Sequence, residues 1–263
     1  MLVINNIEVK YKGIILVLKG ISLNVKEGAL ISVLGNNGAG KTTLLKSISG
    51  LLRTEEGEVT DGTIEYEGKR IDHASSVSLV RMGIVPVMEG RRIFGHLSAE
   101  ENILVGANPF NDGRVKRDLE LVYSYFPRIK TLRKKTCGYL SGGEQQMAVI
   151  GRALMARPKL ILMDEPSLGL SPILQDTIIE VVSKINAEQK VAVLLVEQNA
   201  LAALNISEYG YVLENGRVVL DGTKDSLLAN EDIKEFYLGL SKVGQRKSYK
   251  EVKHYKRRKR WLG

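Results

Sequence analysis

Cysteine is almost absent from this sequence, since Cys137 is the single thiol among 263 residues. A lone thiol forms no disulfide within the chain, and a small buried side chain is the simplest interpretation of it. Apolar residues make up 44% of the chain, yet no apolar run approaches the ~18 residues of a membrane-spanning helix. Residues 1–6 also lack the basic region and apolar block of a secretory signal. We therefore expect a cytosolic protein that depends on other chains for any passage across a membrane.

Positive charge is concentrated at one end of the chain. Residues 241–263 contain ten lysines and arginines and one glutamate, so this tail carries +9 and the preceding 240 residues sum to −1, against a total of +8. The nearly neutral body lacks the basic surface of a nucleic-acid-binding protein, so nucleic acid is an unexpected partner. The tail also contains Tyr249, Tyr255 and Trp261. Three interpretations of it stay open: contact with anionic lipid, RNA binding, or a solvated end without a binding role.

A glycine-rich segment follows the apolar run at residues 29–34 and fits the pattern G-x-x-x-x-G-K-[ST]. Glycines let consecutive backbone N–H groups curl around phosphates at the positive end of the following helix. In this pattern Lys41 reaches the β- and γ-phosphates, the Thr42 hydroxyl ligates Mg²⁺, and Thr43 donates to a phosphate oxygen. The predicted ATP site consists of Gly35, Asn36, Asn37, Gly38, Ala39, Gly40, Lys41, Thr42 and Thr43.

Two adjacent carboxylates, Asp164 and Glu165, end another apolar run at residues 160–163. Taken alone, such a pair would be interpreted as a solvated turn. Beside a phosphate loop it predicts a magnesium ligand, Asp164, followed by a general base, Glu165, which would polarise the attacking water. General-base catalysis of this kind typically contributes ~10²–10⁴-fold in rate.

The string Leu140-Ser141-Gly142-Gly143-Glu144-Gln145-Gln146 resembles the signature of ATP-binding cassette (ABC) proteins, and the resemblance covers about residues 1–240. It implies that two cassettes pair head to tail, so that the signature of one closes over the ATP of the other. The residue types suit this role, because Ser141 can cap a helix over residues 142–155 whose N-terminus attracts phosphate. The signature residues that would act on the partner's ATP are Ser141, Gly142, Gly143 and Glu144.

Four further positions take their meaning from the family resemblance. Tyr11 stands where an aromatic residue stacks on adenine, and its flat face suits that contact. Glu89 replaces the usual glutamine near Mg²⁺ and the lytic water, Gln198 replaces the usual switch histidine, and Ser171 replaces an aspartate of the dimer-interface loop. The resemblance therefore implies catalytic roles for Glu89, Gln198 and Glu165. The implied dimer-interface loop is Ser167, Leu168, Gly169, Leu170 and Ser171.

Three short strings, Glu-Gly-Arg-Arg, Ser-Leu-Gly-Leu and Val-Glu-Gln-Asn, are similar to those of the ATP-binding subunits of branched-chain amino-acid importers. This similarity implies a second ABC subunit, identical or not, two membrane permease subunits and, indirectly, a substrate-binding protein. An importer of other small organic acids is the alternative substrate class. A soluble ABC ATPase acting on DNA, ribosomes or iron-sulfur assembly is the alternative function, although the short insert before Leu140 leaves no room for a long coiled coil.

The expected fold is an α/β phosphate-loop ATPase of the ABC type. Apolar runs at residues 160–163 and 191–196 predict parallel strands buried on both faces and flanked by helices. Strand patterns at residues 2–11 and 20–25 predict an N-terminal antiparallel β subdomain, and residues 211–220 alternate around Asn-Gly like a hairpin. We predict a nucleotide-binding domain over residues 1–240, with a helical subdomain inserted at about 95–140, and a separate basic tail over 241–263.

Overall fold

A computed structural model describes residues 1–108 and 112–236. These residues form two β-sheets and the helices that cover them. The strands are β1 (Leu2–Tyr11), β2 (Ile15–Val25), β3 (Leu30–Leu34), β4 (Gly57–Tyr66), β5 (Lys69–Arg70), β6 (Ile84–Val87), β7 (Leu160–Asp164), β8 (Ala192–Val196), β9 (Tyr209–Glu214) and β10 (Arg217–Thr223). The α-helices are α1 (Lys41–Ser49), α2 (Ser76–Arg81), α3 (Ala99–Leu104), α4 (Val115–Tyr125), α5 (Pro127–Thr131), α6 (Gly142–Met155), α7 (Pro172–Gln189), α8 (Ala200–Ile206), α9 (Lys224–Ala229) and α10 (Glu231–Phe236). Short 3-10 turns cover Leu52–Glu55, Val105–Ala107 and Cys137–Tyr139.

The N-terminal sheet is antiparallel, with the strand order β2-β1-β4-β5. Strand β1 pairs with both neighbours, so that Leu2 lies opposite Val25 on one side and Tyr66 on the other. One face of the sheet is buried in a core that it shares with α1 and with the second sheet. The sequence pattern placed the start of the second strand at residue 20, whereas β2 begins at Ile15, because pairing with β1 continues to Tyr11.

The second sheet has the order β10-β9-β3-β8-β7-β6 and is parallel from β9 to β6. Every residue of β3, β7 and β8 is buried, as expected for parallel strands covered by helices on both faces. The carboxyl ends of parallel strands lie along one edge of the sheet, where α/β proteins bind ligands. Here that edge brings together the segments that follow β3, β6, β7 and β8.

A β-hairpin forms the edge next to the phosphate loop. Asn215 and Gly216 both have positive φ, 50° and 78°, as a two-residue hairpin turn requires. The Gly216 N–H donates to the Ala39 carbonyl (3.0 Å), and its carbonyl accepts from the Lys19 N–H (2.8 Å). The turn therefore ties the phosphate loop to both sheets.

Between β6 and β7, side chains of α3, α4 and α5 pack against α6 and form an apolar interior. Cys137 lies in this interior and is fully buried. Burial raises the pKa of its thiol, which disfavours the reactive thiolate and agrees with the expected structural role. The α/β cassette architecture expected from the sequence is thus confirmed, while the basic tail at residues 241–263 lies outside the described residues. Within the described ranges, no helix combines the length and apolarity needed to cross a membrane.

Candidate nucleotide-binding and catalytic site

The phosphate loop connects β3 to α1, as its sequence predicts. Helix α1 begins at Lys41 directly after Gly40, whose φ of 104° is a conformation that favours glycine. A Cβ atom on Gly40 would also lie 2.7 Å from Leu18 Cδ2. The loop can therefore turn its N–H groups towards a phosphate at the positive end of α1.

Lys41 is buried at the centre of this loop. Its Nζ donates to the carbonyl oxygens of Gly35 (2.8 Å) and Asn36 (3.3 Å) and lies 3.1 Å from Glu165 Oε1. Lys41 is 5% exposed and Glu165 is 11% exposed, so this ion pair is largely shielded from water. The ammonium group is thereby held between the phosphate loop and the carboxylate predicted to act on water.

Asp164 fits the predicted magnesium ligand. Its Oδ1 accepts from the Thr42 hydroxyl (3.2 Å), while its Oδ2 is buried and has no hydrogen-bond partner among the residues that the structure describes. Burial raises the pKa of Asp164 to about 6, and the nearby carboxylates of Glu165 and Glu89 add to this rise, whereas Thr42 and Lys41 oppose it. Buried polar atoms that lack a partner call for an explanation, and Mg²⁺ prefers oxygen ligands. The carboxylate of Asp164 and the hydroxyl of Thr42 together supply such ligands.

The backbone of Glu165 has a left-handed conformation that a hydrogen bond to β8 holds in place. Its φ is 47° and its N–H donates to the Val196 carbonyl at the end of β8 (2.8 Å). This left-handed conformation is uncommon for glutamate, and it turns the chain sharply after β7. The three residues predicted to be catalytic, Glu89, Glu165 and Gln198, all line one open cavity of about 320 Å³. The other lining residues are Val17, Asn37, Gly38, Ala39, Gly40, Lys41, Thr42, Thr43 and Leu168.

Glu197 is a residue of this region that sequence reasoning missed. It lies between β8 and the predicted switch residue Gln198, and its buried carboxylate accepts from the N–H groups of Ser167 (2.9 Å) and Gln198 (3.1 Å). The next residue, Asn199, caps α8 by accepting from the Ala202 N–H (3.1 Å). A polar residue at the end of a strand suggests a solvated turn, so its sequence position gave no sign of its burial.

The signature segment forms the predicted cap of α6. Ser141 Oγ accepts from the Glu144 N–H (3.4 Å), and Glu144 Oε2 accepts from the Ser141 N–H (2.9 Å). This reciprocal pair is a capping box. Arg128 contacts the other carboxylate oxygen of Glu144 (3.0 Å). Among the described residues, the signature positions are separate from the set that lines this chain's own phosphate cavity.

The signature packs against α7, and Arg91 links it to the predicted dimer-interface loop. A Cβ atom on Gly143 would lie 2.7 Å from Leu174 Cδ1 in the first turn of α7. A Cβ atom on Gly142 would lie 2.8 Å from the Arg91 guanidinium carbon, and Arg91 Nη2 also contacts the Gly169 carbonyl at 3.5 Å. Arg91 therefore joins the segment after β6 to both the signature and the interface loop, which its sequence position did not show.

Tyr11 lies at the end of β1, close to the first turn of α1. Its hydroxyl is 3.5 Å from the Thr43 hydroxyl, and its ring lies against Gly57. The ring is partly exposed at the rim, outside the residues that line the phosphate cavity. Stacking on adenine therefore stays a prediction. Val17, from the neighbouring strand β2, lines the cavity and was not expected from the sequence.

Comparison with known proteins identifies the family to which the chain belongs. The family model described as "ABC transporter" matches residues 18–168. The chain is 42% identical to the high-affinity branched-chain amino acid transport ATP-binding protein BraG of Pseudomonas aeruginosa, with 87% of this chain and 96% of the relative covered. It is 33% identical to the probable branched-chain amino acid transport ATP-binding protein LivF of Archaeoglobus fulgidus, with 85% and 93% covered.

The fold is similar to that of solved cassettes. The ADP conformation of MJ1267, an ATP-binding cassette of an ABC transporter, has a TM-score of 0.78 at 28% identity, covering 91% of this chain and 98% of that one. The dimeric post-hydrolysis cassette MJ0796, bound to ADP and phosphate, has a TM-score of 0.74 at 25% identity, covering 85% and 99%. Together with the phosphate loop, the paired carboxylates and the capped signature helix, these similarities show that the chain belongs to the ABC transporter family, as an ATP-hydrolysing cassette of a transporter.

Proposed function

We propose that this cassette powers the import of branched-chain or other hydrophobic amino acids. The relatives at 42% and 33% identity carry branched-chain amino acid transport in their names, which supports this substrate class. The observation that carries the catalytic part is the convergence of Lys41, Glu165 and Gln198 on one cavity beside Asp164.

In the proposed reaction, Lys41 and the N–H groups of the phosphate loop bind the β- and γ-phosphates of ATP. Thr42 and Asp164 would hold Mg²⁺, which neutralises phosphate charge when bound. Glu165 accepts a proton from the attacking water, and the Gln198 amide donates to the γ-phosphate. The water oxygen bonds to the γ-phosphorus as the bond to the bridging oxygen of ADP breaks, giving ADP and phosphate.

We further propose that two cassettes form the active unit. Leu168 is partly exposed and lines the cavity, while Ile173 at the start of α7 is 80% exposed and precedes Leu174, which packs against Gly143 of the signature. Exposed apolar groups next to a binding site are typical of interaction surfaces. The signature residues Ser141 and Gly143 would then contact the nucleotide of the partner, which is either a second copy or a related cassette.

A second surface is proposed to dock the membrane permease subunits. An open groove of about 450 Å³ lies between the core, at α2 and β6, and the helical segment, at residues 105–108 and α6. Most of its lining is apolar. Val77, on the core side of this groove, is 61% exposed. The groove is lined by Ser76, Val77, Val80, Arg81, Val85, Pro86, Val105, Gly106, Asn108, Val149, Arg152, Ala153 and Ala156. This location would place the cassette on the cytoplasmic face of the membrane, with a substrate-binding protein as an indirect partner.

Uptake measurements test the substrate class. Cells that lack this chain should lose most of their high-affinity uptake of labelled leucine, isoleucine and valine. Wild-type protein should restore uptake, and the Glu165→Gln variant should not. Loss of uptake of small organic acids with unchanged amino-acid uptake would contradict the proposed substrate. Unchanged uptake of both would contradict the import function.

A further inference from the structure

Glu197 is a buried carboxylate to which the catalytic scheme above gives no role. It follows β8 directly and is 2% exposed. Burying a carboxylate is costly unless hydrogen-bond donors satisfy both oxygens. Burial raises the pKa of Glu197, while hydrogen bonds from Ser167 and Gln198 oppose the rise. A residue kept at such a cost needs a structural or functional reason.

The two oxygens of Glu197 bind two different segments. Oε1 accepts from the N–H of Ser167, which begins the loop at residues 167–171, at 2.9 Å. Oε2 accepts from the N–H of Gln198 at 3.1 Å. Ser167 is itself 4% exposed, so its N–H has little access to water as an alternative partner.

The same junction includes the backbone of the predicted general base. Val196, the residue before Glu197, accepts from the Glu165 N–H at 2.8 Å. Val196 and Glu197 therefore accept three hydrogen bonds, from the N–H groups of Glu165, Ser167 and Gln198. These bonds connect the ends of β7 and β8 where the cavity lies.

We infer that Glu197 is a positioning residue for ATP hydrolysis, which holds the dimer-interface loop and the γ-phosphate contact Gln198 in a fixed relation. Partner binding at the loop is then coupled to the placement of Gln198 in the cavity. This inference rests on the proposed roles of the loop and of Gln198. Glu197 is the residue suited to this task, because a carboxylate accepts at both oxygens whereas an amide accepts at only one.

The Glu197→Gln variant tests the inference with little change in shape. Its amide NH₂ must face one of the two N–H donors, so one hydrogen bond is replaced by a repulsive contact. We expect kcat per bound nucleotide to fall about tenfold or more, which corresponds to the loss of one buried hydrogen bond. Affinity for Mg-ATP should stay within about twofold, since Lys41 and the N–H groups of the phosphate loop are unchanged.

Asp118→Asn is the matched control. Asp118, on α4, is also a buried carboxylate, and its Oδ2 lies 2.7 Å from Arg157 Nε. Both variants should lower the melting temperature, and only Glu197→Gln should lower kcat. Phosphate release by the full chain is divided by the nucleotide bound per chain at saturation, so that a misfolded fraction does not count as a loss of kcat. The rate of phosphate release per bound nucleotide should also depend less on protein concentration in Glu197→Gln than in wild type, because partner binding at the loop is then no longer coupled to Gln198.

The outcomes separate this inference from the proposed function when Gln198→Ala is measured in parallel. A fall in kcat for both Glu197→Gln and Gln198→Ala supports the inference. A fall for Gln198→Ala alone overturns the role of Glu197 and leaves that of Gln198 intact. Unchanged kcat in both variants overturns both roles. A loss in Glu197→Gln that is fully explained by reduced nucleotide stoichiometry shows a structural role only and also overturns the inference.

Discussion

Acidification should stabilise the protein when Mg²⁺ and nucleotide are removed. Burial, reinforced by the charges of Glu165 and Glu89, raises the pKa of Asp164 to about 6, against ~4 in an unfolded chain. Between these two values the folded protein binds more protons than the unfolded chain. The free energy of unfolding therefore falls as the pH rises through this window. Ionised Asp164 opposes folding until a metal ion balances its charge.

The size of the effect follows from the shift in pKa. A shift of about two units at ~1.4 kcal/mol per unit gives a cost of about 3 kcal/mol above neutral pH. At about pH 5 the folded protein is mostly protonated at Asp164, and about half of this cost remains. Lowering the pH from about 7.5 to about 5 should therefore add about 1.4 kcal/mol to the free energy of unfolding from this residue.

Urea unfolding in the presence of EDTA measures this contribution, using linear extrapolation at both pH values. Other titrating groups also respond to pH, so the Asp164→Asn variant serves as the reference. It keeps an oxygen for the Thr42 hydroxyl and removes the titration. Wild type should gain about 1.4 kcal/mol more than the variant on acidification. Equal gains in the two proteins would refute the reasoning about Asp164.

Other predictions concern the phosphate loop, the signature, the hairpin and the tail. Lys41→Ala should weaken Mg-ATP binding itself in a direct nucleotide-binding assay, because it removes the cation held at the loop; unchanged affinity would contradict its role. Ser141→Ala should lower helix stability by about 1 kcal/mol through loss of the capping box. ATP-induced association of the cassettes and phosphate release should fall together in this variant. Phosphate release at the wild-type rate would exclude a signature role for Ser141. Gly216→Ala should destabilise the fold by about 2 kcal/mol or more, because its Cβ would lie 1.9 Å from Val17 O; an unchanged melting temperature would be inconsistent with this turn geometry. Removing residues 241–263 should reduce binding to anionic vesicles but spare nucleotide binding, with neutral vesicles and RNA as controls. Salt should weaken the binding of the full-length protein to these vesicles by screening its charges. Equal retention of the full-length and truncated proteins on anionic vesicles would exclude a lipid-binding tail.

The sequence predicted those parts of the site whose chemistry is local. Lys41 and Thr42 follow a glycine pattern that specifies their environment, and the apolar run before Asp164 places it at the end of a buried strand. Ser141 likewise caps its helix as expected, because capping depends on residues within one turn. Such features need no knowledge of distant contacts.

The features that sequence reasoning missed depend on contacts between segments distant in the chain. Glu197 lies next to Gln198, but its burial arises from the loop at Ser167, which lies 30 residues away. Val17 lines the cavity because the N-terminal sheet packs against the phosphate loop. Arg91 reaches Gly169, 78 residues along the chain. A single sequence shows no pattern for such pairs, whereas helix and strand periodicity is visible within a few residues.

Phosphate release by the full-length Glu165→Gln variant, at saturating Mg-ATP, tests the central claim most directly. The substitution removes the proposed general base and also releases Lys41 from an ion pair at 3.1 Å. The variant should therefore bind Mg-ATP at least as tightly as wild type, while phosphate release falls about 10²-fold or more. Undiminished phosphate release by a variant that still binds Mg-ATP would contradict the assignment of Glu165 as the residue that activates water.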